Sequence, residues 1–204
     1  MREFIFYSGS AVTSGKMIGN DLMVAGRMDI VCNFIINSFF VSHNSRDDVR
    51  LHLIFNGAPD HPKYIEIAPH KIAIPSADNI DVALGDVARV LRNVLDGYVK
   101  DKRIEVLPNF FVEKKGLREV IEEIGVERIV LLDKKGEGIR NIKGLDDVVF
   151  LIGDQDGFPK YEEKWLKKAG IRRVSLGKKM YLAVQTLVVL QNELDIRETC
   201  FARY

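Results

Sequence analysis

Val148 to Asp195 reads VVFLIGDQDGFPKYEEKWLKKAGIRRVSLGKKMYLAVQTLVVLQNELD. It opens with an apolar run, Val148 to Ile152, of the kind that fits a strand buried on both faces. The run breaks into Gly153-Asp154-Gln155-Asp156-Gly157-Phe158-Pro159, where glycine and proline predict a tight turn with bare backbone amides. A polar helix is expected from Lys160 to Ala169, stopped by Gly170. A second short strand, Arg172 to Leu176, ends at Gly177, and a last helix is expected from Lys179 to Leu194. Ala183, Leu187, Leu190 and Leu194 fall on one face of that helix. Strand, glycine turn, helix, repeated, is the pattern of a parallel sheet whose strand-end loops gather along one edge, where ligands bind. The competing reading is an ordinary βαβ unit whose glycines only turn the chain.

The stretch just upstream adds a third loop. Arg128 to Leu132 reads as another buried strand, followed by Asp133-Lys134-Lys135-Gly136-Glu137-Gly138 as a glycine loop. Loops after Leu132, Ile152 and Leu176 would then converge on one small molecule. The Gly-x-Gly alone is an incomplete dinucleotide fingerprint, without the acidic residue at the expected spacing, so a nicotinamide enzyme is disfavoured. Further out, Leu117 to Ile124 reads as a helix ended by Gly125, and Arg103 to Val106 as a strand. Phe110 and Phe111 would pack in a core or stack a base. Asp81 to Tyr98 is an amphipathic helix with Val87, Val90, Leu91 and Val94 on its face. Tyr64–Ile67 and Lys71–Ile74 read as a small β-hairpin insertion at about 61–75, and Val49 to Asn56 as an alternating strand.

In the amino half, Arg2 to Ser8 is a strand and a helical stretch is expected from about Asn20, interrupted by Gly26. Met28, Val31, Cys32, Ile35, Ile36 and Phe39 give that helix its apolar stripe. Arg27 and Asp29 lie off the stripe, free to enter a site or to form a surface pair. Arg46 and Asp47 sit on the polar loop from Ser42 to Asp48. With 204 residues and 47% apolar content, the simplest organisation is one α/β domain, 1–204, with a mostly parallel sheet and helices on both faces. A formal charge of +1 shows no overall basic excess, although Lys and Arg cluster between Lys160 and Lys179. The cysteines, Cys32 and Cys200, and the scattered His43, His52, His61 and His70 have no metal-ligand spacing. No apolar run of ~18 residues or targeting segment is visible, so a cytoplasmic protein without membrane or metal is expected.

Gly153, Gly157 and Phe158 match a Gly-Pro-Glu-Gly-Gly-Phe motif, from which Asp154, Gln155 and Asp156 depart. Leu176, Gly177 and Met180 follow a Leu-Gly-x-x-Ile-Leu motif, and Thr186 stands where a small residue belongs. On these residues the chain resembles the SPOUT RNA methyltransferases. Through Gly26-Arg27-Met28-Asp29 and Ser42-His43-Asn44-Ser45-Arg46-Asp47, it is similar along its whole length to the archaeal tRNA pseudouridine-54 N1-methyltransferases.

The resemblance implies a trefoil knot in the region 128–204, a homodimer, and tRNA as substrate. It implies S-adenosylmethionine held by Leu131, Leu132, Gly153, Leu176, Gly177, Lys178, Lys179, Met180 and Tyr181. Arg27 and Asp29 match the Arg-x-Asp of pseudouridine N1-methylases. Pseudouridine N1 is a weakly acidic, imide-like nitrogen, so a carboxylate would take its proton and an arginine would steady the developing oxyanion. Arg46 and Asp47 are the expected RNA contacts, Arg46 on a phosphate. The rRNA-acting branch carries proline where Met28 stands, which points to the tRNA branch and leaves the rRNA branch as the alternative. A non-catalytic RNA-binding protein with a degenerate pocket is the other alternative, since Val184 and Gln155 replace acidic residues of many relatives. Surplus apolar surface on the last helix, at Val184, Val188 and Gln191, would carry the dimer contact.

Overall fold

A computed structural model of the chain describes residues 1–42, 44–69, 82–145 and 147–201, without the side chains of 199–201. In chain order the elements are β1 (Arg2–Ser8), α1 (Met28–Phe39), β2 (Phe40–Val41), β3 (Asn44–Ser45), β4 (Val49–Phe55) and β5 (Lys63–Ile67). Then follow α2 (Leu84–Asp96), β6 (Ile104–Leu107), β7 (Phe110–Glu113), α3 (Leu117–Ile124) and β8 (Ile129–Gly138). The last are β9 (Val149–Gly153), α4 (Lys160–Lys168), β10 (Arg172–Ser175) and α5 (Ala183–Phe201). An eight-stranded sheet runs in the order β10-β8-β9-β1-β4-β5-β7-β6. From β10 to β4 every neighbour is parallel, and the β4-β5-β7-β6 arm is antiparallel.

Helices cover both faces, as the sequence leads one to expect. Phe4 and Phe6 of β1, with Leu51, Leu53 and Phe55 of β4, pack under α1, α2 and α5. Ile5 and Tyr7, with Ile54 and Leu151, pack under α3 and α4 through Leu117, Ile121 and Leu166. The expected core stripe of the last helix, Ala183, Leu187, Leu190 and Leu194, is buried. Cys32 lies fully buried in the first of these layers, and burial pushes its thiol up to about 12, so it packs rather than reacts.

Several boundaries differ from expectation for identifiable reasons. The 20–26 stretch is a run of turns, not helix: α1 begins only at Met28, after Gly26 and Arg27 both take left-handed backbone, at φ +67° and +62°. Tyr64–Ile67 belongs to β5, held inside the sheet between β4 and β7, and so is not one arm of an appended hairpin; Lys71–Ile74 lies outside the described residues. β4 is buried on both faces, His52 included, where alternation predicted one. The glycine loop after Leu132 is instead a continuation of β8. Val130 and Leu131 pair with Arg172 and Arg173, then Glu137 and Gly138 pair with Val174 and Ser175, so the residues between are pinched out. Gly136 makes this possible, because a Cβ there would stand 2.5 Å from the Arg173 carbonyl carbon. α5 starts four residues late because the Leu182 N–H donates to Gln185 Oε1 at 3.1 Å, capping the helix there and leaving 177–182 as loop. No helix among the described residues is long and apolar enough to cross a membrane, and no cluster of three or more His, Cys, Asp or Glu among them could hold a metal ion.

Candidate active site

The pinched-out middle of β8 and the carboxyl ends of β9 and β10 open into a cleft of about 880 Å³, at the edge of the sheet where parallel strands present their loops. The residues after Leu131, the turn after Ile152 and the loop after Val174 form its walls. Leu131, Leu132, Gly153, Leu176, Gly177, Lys179, Met180 and Tyr181 all line it; Lys178 does not. The expected loops after β9 and β10 meet at one cavity, with the pinched-out segment of β8, in place of the expected glycine loop, as the third wall.

The turn after β9 is pinned by its own acid. Asp154 is nearly buried, and its Oδ2 accepts from the Ser8 hydroxyl at 2.8 Å and the Gly9 N–H at 3.0 Å. Its other oxygen accepts from the Asp156 N–H at 3.0 Å. Asp154, which departs from the resembling motif, thus ties the turn to the loop that leaves β1. The ring of Phe158 folds back against Tyr7, 5.3 Å between centroids, and closes over Gly153. A Cβ at Gly153 would stand 3.1 Å from that ring, so a side chain there would have to push the Phe158 ring aside by a few tenths of an ångström.

The same β1 loop reaches the amino-half pair. Ser10 Oγ donates to the Gly26 carbonyl at 3.1 Å, and a Cβ on Gly26 would collide with the Ser10 carbonyl. Directly after Gly26, Arg27 grips Asp29 in a bidentate pair, Nε to Oδ1 at 3.0 Å and the terminal nitrogen to Oδ2 at 2.9 Å. The Arg27 hydrogen bonds hold the Asp29 carboxyl below the usual carboxylate range, against a weaker opposing effect of burial. Arg27 is raised in turn by Asp29, with a further contribution from Asp156 on the cleft wall. The pair is half-exposed, and Asp29 also lines a second hollow of about 660 Å³, beside Leu22, Met23, Arg89 and Arg92.

Arg46 and Asp47 are not brought to the cleft. Arg46 is spent on Asp195 of α5, in two hydrogen bonds of 2.9 and 2.7 Å, and Arg2 meets the same carboxylate at 2.6 Å. Arg46 is itself largely covered and already doubly bonded to Asp195, so it is not presented as a phosphate contact and that expectation is corrected. Asp47 is exposed on the adjoining loop. Of the aromatic pair, Phe110 is buried in the core, and Phe111 lies under the Arg103 guanidinium at 4.5 Å. Neither is free to stack a base.

The cleft suits an adenine nucleoside carrying an amino-acid tail. Leu131, Ile152, Leu176 and Ala183 offer an apolar slot, the glycine turns offer backbone groups, and nothing stands within 4 Å of where a Gly177 Cβ would be.

Comparison with known proteins agrees with this geometry. A family model described as "Putative SAM-dependent RNA methyltransferase" matches residues 1–199. A "tRNA (pseudouridine(54)-N(1))-methyltransferase" of Methanocella arvoryzae is 31% identical over 97% of this chain and 100% of its own length. A "Putative pseudouridine methyltransferase" of Vibrio parahaemolyticus is 30% identical over 97% and 100%. Among solved structures, Archaeoglobus fulgidus Nep1 bound to S-adenosylhomocysteine superposes with a TM-score of 0.60 over 94% of this chain and 96% of that one, at 16% identity, a likeness of fold. With a cofactor-sized cleft at the carboxyl edge of its sheet and a family match along its length, the chain belongs to the S-adenosylmethionine-dependent RNA methyltransferases.

Proposed function

We propose that this protein methylates N1 of pseudouridine in tRNA, at position 54, in a single-domain fold. The observation that carries the proposal is the bidentate Arg27–Asp29 pair, tied by the β1 loop to the same turn that walls the cleft. The full-length relatives with pseudouridine in their names support it. When bound, S-adenosylmethionine supplies an electrophilic methyl group. Leu131, Leu132, Gly153 and the 176–181 loop would hold it, through backbone groups at the glycine turns and the apolar slot; Lys178 contributes only as part of that loop. Asp29 is ionised at neutral pH and, being held below its usual range, is a weak base that accepts or orients the N1 proton. Arg27 stands beside it to stabilise charge spreading onto a ring carbonyl. We place this work in the cytoplasm, with the tRNA.

We also propose a homodimer through the start of α5. Met180, Leu182 and Val188 are 78%, 64% and 46% exposed, apolar area that a second copy would cover. Gln191 is not part of this surface: it is buried, and its amide donates to the Asn37 and Ser38 carbonyls at 2.7 and 3.3 Å, capping the end of α1. Val184 is half-buried against the core.

The function is tested by transfer of labelled methyl from S-adenosylmethionine to tRNA that contains or lacks pseudouridine, followed by nucleoside mass spectrometry. Label in N1-methylpseudouridine of the first RNA alone is expected. Equal labelling of both RNAs, or label only in an rRNA fragment, overturns it.

A further inference from the structure

The cations of this protein divide into two populations. The arginines of the fold are occupied: Arg50 and Arg103 on Glu66, Arg128 on Glu3 and Asp147, Arg118 on Glu162, Arg172 on Glu137, Arg173 on Asp133. The lysines that line the cleft are not. Lys134, Lys135, Lys164, Lys167 and Lys179 are exposed, and none has a side-chain hydrogen bond or ion pair among the described residues. The acids of the same cleft offset them only in part: exposed Asp156 and Glu163 stand against the five lysines. Asp133 is taken by Arg173, and Asp154 is turned inward to Ser8 and Gly9. A chain of net charge +1 therefore carries a surplus of unpaired lysines along this one cavity.

The cofactor does not account for this. S-adenosylmethionine carries a sulfonium and an ammonium against one carboxylate, so a ring of ammonium groups repels it on balance. Structural need does not account for it either, since unpaired like charges close together destabilise a fold. What such a rim attracts is a polyanion. Lys164 and Lys167 are three apart on α4 and so share a face, and they line the same cleft as Lys134 and Lys135 on the pinched-out segment of β8.

We propose that Lys134, Lys135, Lys164 and Lys167 form the surface that holds the RNA backbone over the cleft, taking the role that the sequence suggested for Arg46. The inference rests on the reading of this chain as an RNA methyltransferase. Flexible ammonium groups bind phosphates as point charges, without reading bases. The rim therefore supplies affinity, and the Arg27–Asp29 pair addresses the target nucleotide.

The test is K134Q/K135Q/K164Q/K167Q, with the four lysines changed to arginine as the charge-preserving control. Binding of a fluorescently labelled, unmodified tRNA transcript is followed by anisotropy across a KCl series. Each lysine that contacts a phosphate contributes about 0.7–0.9 to the slope of log K against log salt, so the four-fold glutamine variant should lose about 3 of that slope. Its affinity at low salt should fall at least tenfold, while the arginine variant keeps the wild-type slope. S-adenosylmethionine affinity by calorimetry should be retained or slightly higher, since the removed ammonium groups repel it, and its retention also reports that the cleft is folded. A folded glutamine variant with the wild-type slope overturns the rim and leaves the methylation reading intact. Wild-type protein that binds RNA through the rim yet transfers no methyl group overturns the methylation reading and leaves the rim intact.

Discussion

The Ser8 hydroxyl and the Asp154 carboxylate, 146 positions apart in the chain, meet at 2.8 Å. That bond fastens the loop after the central strand to the turn that walls the cleft, and the Gly9 N–H shares the same oxygen. Ser8 also accepts from the Ala11 N–H at 3.1 Å, which fixes the path of the loop toward Gly26 and Arg27.

Asp154→Ala removes the acceptor and leaves the Ser8, Gly9 and Asp156 donors unsatisfied in a largely buried place. The expected loss is about 1–3 kcal/mol of stability, read from urea unfolding, with weaker binding of S-adenosylmethionine by calorimetry. Ser8→Ala should show a smaller loss of the same kind. A variant with wild-type unfolding and wild-type affinity would show that the turn holds its shape without this bond.

Asp29→Asn keeps the shape of the carboxylate and removes its basicity. Single-turnover methyl transfer should slow by about 10²-fold or more. Cofactor affinity should hold, because Asp29 does not line the cleft. Arg27→Ala should also slow transfer, since it releases Asp29 from its bidentate partner as well as removing the cation. Full activity in Asp29→Asn would take the proton away from Asp29.

Acid should unfold the protein through a second, wholly structural network. Glu3 is buried, which alone would raise its pKa, but His52 at 2.8 Å and Arg128 at 3.0 Å bring it below the usual value. Glu66 is likewise raised by burial and lowered further by Arg103, His52 and Arg50. Native values below the unfolded ones contribute stability that is fully present above the unfolded pKa and lost as pH falls through the native values. The urea midpoint should therefore hold above about pH 4.5, the ordinary glutamate value, and drop steadily below it. A midpoint that stays level down to pH 3 (roughly the bottom of the usual carboxylate range) would remove these pairs from the account.

Val188→Asp places a charge in the exposed apolar area at the start of α5. Light scattering at micromolar concentration should give a dimer for the wild-type chain and a monomer for the variant, with unchanged helix content by circular dichroism. A monomeric wild-type protein rejects the interface.

The last third of the chain was the most legible because its signals are local. An apolar run, a glycine break and a helical stripe each announce themselves within ten residues or so, and β9, α4, β10 and the α5 core stripe follow them closely. Errors came where a residue's role is set by something remote. Gly136 signals a loop by type, yet it sits in a strand because the backbone of β10 passes against it. Arg46 has the composition of a phosphate contact, yet its partner Asp195 lies 149 positions away. Gln191 falls beside the apolar stripe, where sequence alone predicts surface, whereas the end of α1 takes its amide. At the site, the glycine turns were visible and the acid that pins one of them was not. Asp154 was noticed as a departure from a motif, and only its contact with Ser8 and Gly9 explains it.

The position of β1 bears on how the chain is made. Glu3 pairs with Arg50 on one side and with Val149 on the other, so the strand's second edge has no neighbour until three quarters of the protein has left the ribosome. Synthesis proceeds from the amino end, and β1, β4, β5, β6 and β7 can join as soon as residue 113 emerges. Until β9 arrives, that nascent half-sheet carries Phe4, Ile5 and Phe6 along an open hydrogen-bonding edge, a template for pairing with another chain. A chaperone that covers this edge during translation would keep the half-sheet from pairing with another chain until β9 arrives.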